Sequence, residues 1–273
     1  LAVSAILALP AAADPIELSD LATPGNGAGF VLDGENFNDR AGNSVAAAGD
    51  VNGDGLSDLI VGAYRAEPYG GDNEGKAYVV FGTPETGSFN LADIEAGIGG
   101  FVIIGQNPDE QAGEVVSGAG DVNGDGKDDL IVGTAHATED GSYSGRAYIV
   151  FGKTSGSAVS LDGVHVGAGG FSISGSVAND GLGSSVSGAG DVNGDGRDDV
   201  IVGASDTSAN GGRSGRCYVV FGKTGTSTVL VANIVAGTGG FAIDGKDHFD
   251  RAGIRVLVGG DVNGDGLDDV IVG

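Results

Sequence analysis

Apolar and polar positions along the chain fall into short runs of two kinds. Some are apolar throughout, such as Asp129–Thr134 (DLIVGT), as expected of a strand covered on both faces. Others alternate, such as Gly170–Gly175 (GFSISG), or mix valine with small residues, such as Gly113–Asp121 (GEVVSGAGD). With Arg146–Gly152 (RAYIVFG) these make four strand-like runs in one stretch, separated by turn residues. Helical periodicity of useful length is lacking. Leu91–Gly97 (LADIEAG) has room for one short turn between its flanking glycines.

The four runs recur. The aspartates Asp50, Asp121, Asp191 and Asp261 are about 70 residues apart, and so are Phe81, Phe151 and Phe221 of the VFG phrase. Phe101, Phe171 and Phe241 of the GGF phrase keep the same phase, with a relaxed copy at Phe30. A repeated four-stranded unit, rich in glycine and aromatics, predicts an all-β protein, a β-propeller. Its first strands carry Gly, Ala and Ser, which fit where strands converge on a central axis. A β-sandwich has no need of such regular repetition.

In phase, the units span about 29–99, 100–169, 170–239 and 240–273, and the strands expected number about fifteen. These are one lone fourth-type strand (Gly29–Gly34), three full sets, and a final pair ending at Gly273. That pattern reads as the N-terminal part of a longer propeller: three complete blades and part of a fourth. The lone strand is then expected to complete the last blade.

The 273 residues carry 38 acidic and 13 basic side chains, a net charge of −25. Such a chain disfavours nucleic acid and anionic lipid and favours cations. The 55 glycines stand at recurring positions among valines, isoleucines and aromatics, so a core is expected, not disorder. Cys217, the lone cysteine, stands where the other repeats have Ala77 and Ala147 and reads as a small buried strand residue. Leu1–Leu9 is apolar and Ala11–Ala13 offers an A-x-A site, so residues 1–13 read as the remnant of an export leader and 14–273 as the propeller. An ordinary buried strand or helix is the alternative for that stretch. No other segment has the length and hydropathy to span a bilayer.

Much of the acidity is concentrated in four loops: DVNGDGLSD, DVNGDGKDD, DVNGDGRDD and DVNGDGLDD. Side-chain oxygens fall at loop positions 1, 3, 5 and 9: Asp50, Asn52, Asp54, Asp58; Asp121, Asn123, Asp125, Asp129; Asp191, Asn193, Asp195, Asp199; Asp261, Asn263, Asp265, Asp269. Alternate spacing turns the first three toward one centre as the chain curls, and glycines at 4 and 6 permit the curl. Position 7 (Leu56, Lys127, Arg197, Leu267) offers a backbone carbonyl, so its side chain is free to vary. Hard oxygen donors in this number suit Ca²⁺, about one per repeat. An EF-hand would place a glutamate at position 12, where this chain has Val61, Val132, Val202 and Val272 inside apolar runs. The loop therefore reads as the turn of a β-hairpin. A plain polar turn is the alternative, since Asp, Asn and Gly are ordinary turn residues.

Together these phrases resemble the FG-GAP repeats of integrin α-subunit propellers and their bacterial relatives. "FG" stands at Phe81-Gly82, Phe151-Gly152 and Phe221-Gly222, and "GAP" appears without its proline at Gly62–Tyr64, Gly133–Ala135 and Gly203–Ser205. The resemblance covers about residues 15–273 and implies seven blades, with calcium loops joining first and second strands on the lower face. It also implies an extracellular or cell-surface setting.

The upper-face connections differ most between repeats: Tyr64–Gly75, Ala135–Gly145 and Ser205–Gly215. Variable loops on a rigid frame are the expected place for an extracellular protein or glycan ligand. His136, His165 and His248 occupy non-equivalent positions, and no nucleophile-elbow, zinc-protease or P-loop pattern is present, so a non-catalytic adhesion or recognition module is expected. The alternatives are an accessory propeller of a secreted hydrolase or phospholipase whose catalytic domain lies outside this chain, and a structural surface-assembly unit.

Overall fold

The computed structural model describes residues 3–7, 29–71, 73–84, 87–138 and 143–273. Strand β1 (Val3–Leu7) pairs antiparallel with β2 (Gly29–Asp33). The first full blade follows as β3 (Val45–Gly49), β4 (Asp58–Ala63) and β5 (Lys76–Val80), then β6 (Gly87–Asn90), helix α1 (Leu91–Glu95) and β7 (Gly100–Ile104). The second is β8 (Val115–Gly120), β9 (Asp129–Thr134), β10 (Arg146–Val150), β11 (Val159–Ser160), α2 (Leu161–His165) and β12 (Gly170–Ser174). The third is β13 (Ser185–Gly190), β14 (Asp199–Ala204), β15 (Arg216–Val220), β16 (Val229–Leu230), α3 (Val231–Val235) and β17 (Gly240–Asp244). A last hairpin, β18 (Val256–Gly260) and β19 (Asp269–Val272), begins another.

Within a blade the four strands run antiparallel in chain order, β3-β4-β5-β7 and its equivalents. The continuously apolar second and third strands are explained by what lies on each side of them. Leu130, Val132, Tyr148 and Val150 pack against Ile60, Val79 and Phe101 of the preceding blade. Their neighbours Ile131, Ala147 and Ile149 pack against Val200, Val202 and Tyr218 of the following one. Each inter-blade layer is thus a core, and each fully buried aliphatic side chain in it contributes about 1.5–3 kcal/mol. Small residues in the first strands serve close approach: a Cβ on Gly118 would come within 2.7 Å of the Ala47 carbonyl.

Two features depart from the sequence expectation. Nineteen strands are described in place of fifteen, chiefly because the short segments β6, β11 and β16 add in parallel to β2, β7 and β12. Each covers the outer edge of the preceding sheet, which a bare fourth strand would leave open. The single short turn expected at Leu91 is a one-turn helix present in all three repeats, buried through Leu91 and Ile94, Leu161 and Val164, Val231 and Ile234. Asn90 and Ser160 cap the first two with their side chains, whereas Leu230 cannot.

Strand β2 stands between β1 and β6. The part of the apolar stretch that the structure describes near the start, residues 3–7, is strand β1. Val3 faces Asp33 as Lys76 faces Ile104, so β1 stands where a third strand stands. The remainder of the leader-like segment, from residue 8 to 13, lies outside the described residues.

Candidate metal loops and the opposite face

Every acidic loop leaves a first strand through a β-bulge, between Ala47 and Gly49, Gly118 and Gly120, Gly188 and Gly190, and Val258 and Gly260. The bulge re-aims the chain so that the position-1 aspartate turns back over its own loop. Asp50 Oδ1 accepts the N–H groups of Gly53 and Asp54 at 2.8 and 2.9 Å, and Oδ2 accepts that of Gly55 at 2.8 Å. Asp121, Asp191 and Asp261 do the same in their loops. Those bonds require the glycines at 4 and 6 to turn left-handed, with φ between 76° and 90° in all four copies.

The position-9 aspartate is the hub. Asp58, Asp129 and Asp199 are fully buried at the mouth of the second strand. Asp58 Oδ2 accepts the Val51 N–H at 2.9 Å, closing the loop from behind, while its Oδ1 accepts the Gly82 N–H at 2.7 Å. Gly82 is the glycine of the first FG pair. Gly152 and Gly222 donate in the same way to Asp129 and Asp199, each at 2.8 Å. The FG phrase and the acidic loop therefore recur together because one side chain joins them. A side chain has no space at that glycine: a Cβ on Gly152 would stand 2.6 Å from the Asp128 carbonyl.

Position 3 bridges the remaining acids. Asn123 Nδ2 reaches Asp125 Oδ2 at 3.3 Å and Asp129 Oδ1 at 3.4 Å, and Asn193 and Asn263 reach Asp199 and Asp269. Burial, with the charges of Asp125 and Asp121 added, pushes Asp129 up to about 7. Burial with Asp195 and Asp191 pushes Asp199 up to about 6, and Asp58 is raised chiefly by burial. At position 7, Lys127 and Arg197 lean back on Asp125 and Asp195 at 3.4 and 3.6 Å, while Leu56 and Leu267 make no such contact. These exposed pairs add little stability.

In this arrangement no three Asp, Glu, His or Cys side chains among the described residues form a group that could hold a metal ion. The position-1 carboxylate faces backbone N–H groups, and an asparagine N–H₂ stands between the acids of positions 5 and 9. The donor set nevertheless fits Ca²⁺. It is all oxygen, and an aspartate carboxylate has about four lone-pair sites, enough for N–H groups and a cation together. The asparagine donor supplies weakly the positive charge that a cation would supply fully.

The sequence reading missed position 8. Asp128 Oδ2 accepts the N–H of Asp50 in the preceding loop, and the Asp128 N–H returns a bond of 3.1 Å to the Asp50 carbonyl. Asp198 with Asp121 and Asp268 with Asp191 repeat this reciprocal pair. The signal was visible as an aspartate at position 8 in three loops, with Ser57 in the first. Lys153 and Lys223, just after the FG pairs, add a second link by lying over Phe101 and Phe171 of the preceding blades.

The far end of the strands carries a cleft of about 810 Å³, lined by Ser44, Glu114, His136, Tyr143, Arg213 and Arg255 among others. Residues 139–142 of one connection expected there lie outside the described residues, as does Asp72 of another. His136 stands 3.4 Å from Glu114, whose hydrogen bond raises its pKa. His165 bonds Ser172, with burial and then Arg146 lowering its pKa, and His248 accepts the Gly212 N–H. The three histidines stay apart in separate contacts, as their non-equivalent positions imply. Cys217 is buried against Ile201 and Val256, as expected.

Bulged inner strands, acidic hairpin turns and cores between successive sheets define a β-propeller of four-stranded blades. The FG-GAP repeat family matches residues 41–80, 112–150 and 182–220. Over 127 residues, 46% of this chain, the sequence is 31% identical to integrin alpha-4 of Xenopus laevis. Over 154 residues, 52% of this chain, it is 30% identical to integrin alpha pat-2 of Caenorhabditis elegans. The matches span 11% and 12% of those relatives' own lengths. The chain carries three FG-GAP repeats and is similar to integrin α-subunits over about half of its length.

Proposed function

We propose that this chain is a calcium-stiffened, non-catalytic recognition propeller of the cell exterior, with its ligand face opposite the acidic loops. The observation that carries this reading is the segregation of chemistry along the strands. Acidic loops occupy the first-to-second connections, whereas the 810 Å³ cleft is lined from the second-to-third connections and the starts of first strands. Asp50, Asn52, Asp54 and Asp58, with the Leu56 carbonyl, would hold one ion, and the equivalent residues of the other loops three more. Bound Ca²⁺ supplies positive charge and a cross-link between the ends of one hairpin.

The chain's own residues do the rest. Position 1 pre-curls the loop, position 9 ties it to the third strand, and position 8 ties it to the preceding blade. The other end then presents its loops from a fixed frame to an extracellular protein or glycan. Export accords with the leader-like residues 1–13. No described helix is long and apolar enough to cross a membrane.

Two measurements on the purified chain test the reading. Calorimetric titration should show Ca²⁺ bound in preference to Mg²⁺, with a stoichiometry approaching four. Binding to an array of glycans and matrix proteins should be lost in Tyr143→Ala and Arg213→Ala and kept in Leu56→Ala. Absence of calcium heat removes the metal assignment, and array binding indifferent to the cleft variants removes the ligand face.

A further inference from the structure

The three blades differ at one place where the first two are closed by polar side chains. In the first, the Tyr78 hydroxyl donates to Glu35 at 2.7 Å. In the second, the Tyr148 hydroxyl donates to Glu110 at 2.6 Å, and Asn107 reaches across to Asp162 at 3.4 Å. Glu110 is only 1% exposed, so its side chain fills the space between the tyrosine and the connection into the next blade.

The third blade has none of these. The positions of Glu35 and Glu110 hold Ser176 and Asp180, and neither brings a glutamate to Tyr218. The Asn107–Asp162 bridge becomes Val177 and Ala232. Arg216, the counterpart of Arg146, turns its guanidinium to Asp244. What remains is a pocket of about 460 Å³, within the range of roughly 300–1,000 Å³ usual for small ligands. Its apolar wall is Val177, Val231 and Val235.

A fourth change points into the pocket. Ala66 and Ala137 of the first two blades become Thr207, which is 6% exposed. Thr207 lines the pocket, and its hydroxyl, itself buried, stands beside Asp180, where it opposes the rise that burial imposes on that carboxyl.

We propose that this pocket of the third blade binds a neutral polyhydroxyl ligand, a single sugar residue. The groups match a hydroxyl. Tyr218 has an O–H donor, and Asp180, braced by Thr207, has a carboxylate to accept, so a guest hydroxyl can take from the first and give to the second. The valines would meet the C–H face of a sugar ring. A guest carboxylate would instead stand beside Asp180 in a chain of charge −25. The proposal deepens the ligand-face reading and rests on it for location, since the pocket and the cleft share Asn179, Asp206 and Arg213.

The test is saturation-transfer NMR and calorimetry on the full chain with glucose, galactose, mannose and N-acetylglucosamine, with acetate as competitor. At least one sugar should bind in the millimolar range, and acetate should not displace it. Thr207→Ala, the residue of the other blades, should weaken binding about five-fold, the value of one hydrogen bond. The filling variant Val177→Asn/Asp180→Glu/Ala232→Asp, which restores the side chains of the second blade, should abolish it while leaving the fold intact. Binding by none of the four sugars, binding unchanged in the filling variant, or displacement by acetate would overturn the proposal. Sugar binding persisting in chelator, where calcium heat is absent, would separate the fate of this pocket from that of the metal loops.

Discussion

Asp128 Oδ2 accepts the backbone N–H of Asp50, 78 residues earlier in the chain, at 2.6 Å. One side chain thereby joins the acidic loops of successive blades, and Asp198 and Asp268 repeat the join. The loops form a connected row along one end of the molecule.

Replacing Asp198 by alanine should cost about 1–3 kcal/mol, because the Asp121 N–H loses a charged acceptor in a part-buried site. Asp198→Asn, which keeps an oxygen, should cost less. Urea denaturation of both variants measures the order, and equal costs would show that the charge contributes nothing.

The glycine preceding each loop serves this clamp. Gly120 and Gly126 both turn left-handed, with φ of 72° and 87°. A Cβ on Gly120 would lie 2.2 Å from Asp198 Oδ2, whereas Gly126 has nothing within 4 Å. Gly126→Ala should therefore carry only backbone strain, about 1 kcal/mol, and Gly120→Ala should carry that strain plus a broken clamp. The difference between their melting temperatures measures the clamp, and Gly120→Ala/Asp198→Ala should cost less than the sum of the single changes.

Much of this architecture is legible in the sequence. The phase of Asp121, Phe151 and Phe171 fixes the four-stranded unit, because first-to-fourth strand order follows from which phrase comes next. The all-apolar run at Leu130–Val132 announces a strand covered on both sides. Other features leave no periodic trace. The parallel segment Val159–Ser160 is two residues long and takes its conformation from the neighbouring edge at Ile103–Ile104. Aspartate recurs at position 8, but the role of Asp128 cannot be read from its own loop, since its partner is a backbone N–H in another repeat. Asp129 reads as a ligand by spacing, but its bond to Gly152 emerges only when the third strand lies beside the second.

Calcium should raise the melting temperature, and magnesium should not. A site filled at ten times its dissociation constant adds about 1.4 kcal/mol, so several such loops would give a shift well outside error in a calorimetric scan. Asp129→Asn keeps the bond from Gly152 but removes a ligand charge. It should reduce the calcium-dependent part of the shift, while in the apo protein relief of a buried carboxylate beside Asp125 and Asp121 offsets the lost acceptor of the Asn123 N–H. A calcium response identical to that of the unaltered chain would remove Asp129 from the ligand set.

Cys217 should resist alkylation in the folded protein. Burial, with the charge of Asp244 added, pushes its thiol up to about 12, and the side chain is fully buried. Iodoacetamide labelling at pH 8 should follow global unfolding as urea is added. Rapid labelling in native buffer would show that the third blade opens locally.

The acid limb of stability should depend on Glu35. Burial opposes its charge, yet hydrogen bonds with Glu95, Tyr78 and Lys76 hold its carboxyl down at about 2, against an ordinary 4.5. A depressed carboxyl contributes stability that is fully present above its unfolded value and is lost as pH falls through its folded one. The relevant window therefore runs from about pH 4.5 down to about pH 2. Glu95, raised first by the hydrogen bond it shares with Glu35 and then by burial, works in the opposite sense, since the fold favours its proton. Glu35→Gln removes the depressed group and leaves Lys76 one carboxylate partner instead of two. Urea midpoints between pH 5 and pH 2.5 should fall less steeply in Glu35→Gln than in the unaltered chain. Parallel curves would show that Glu35 keeps an ordinary affinity for its proton in the fold.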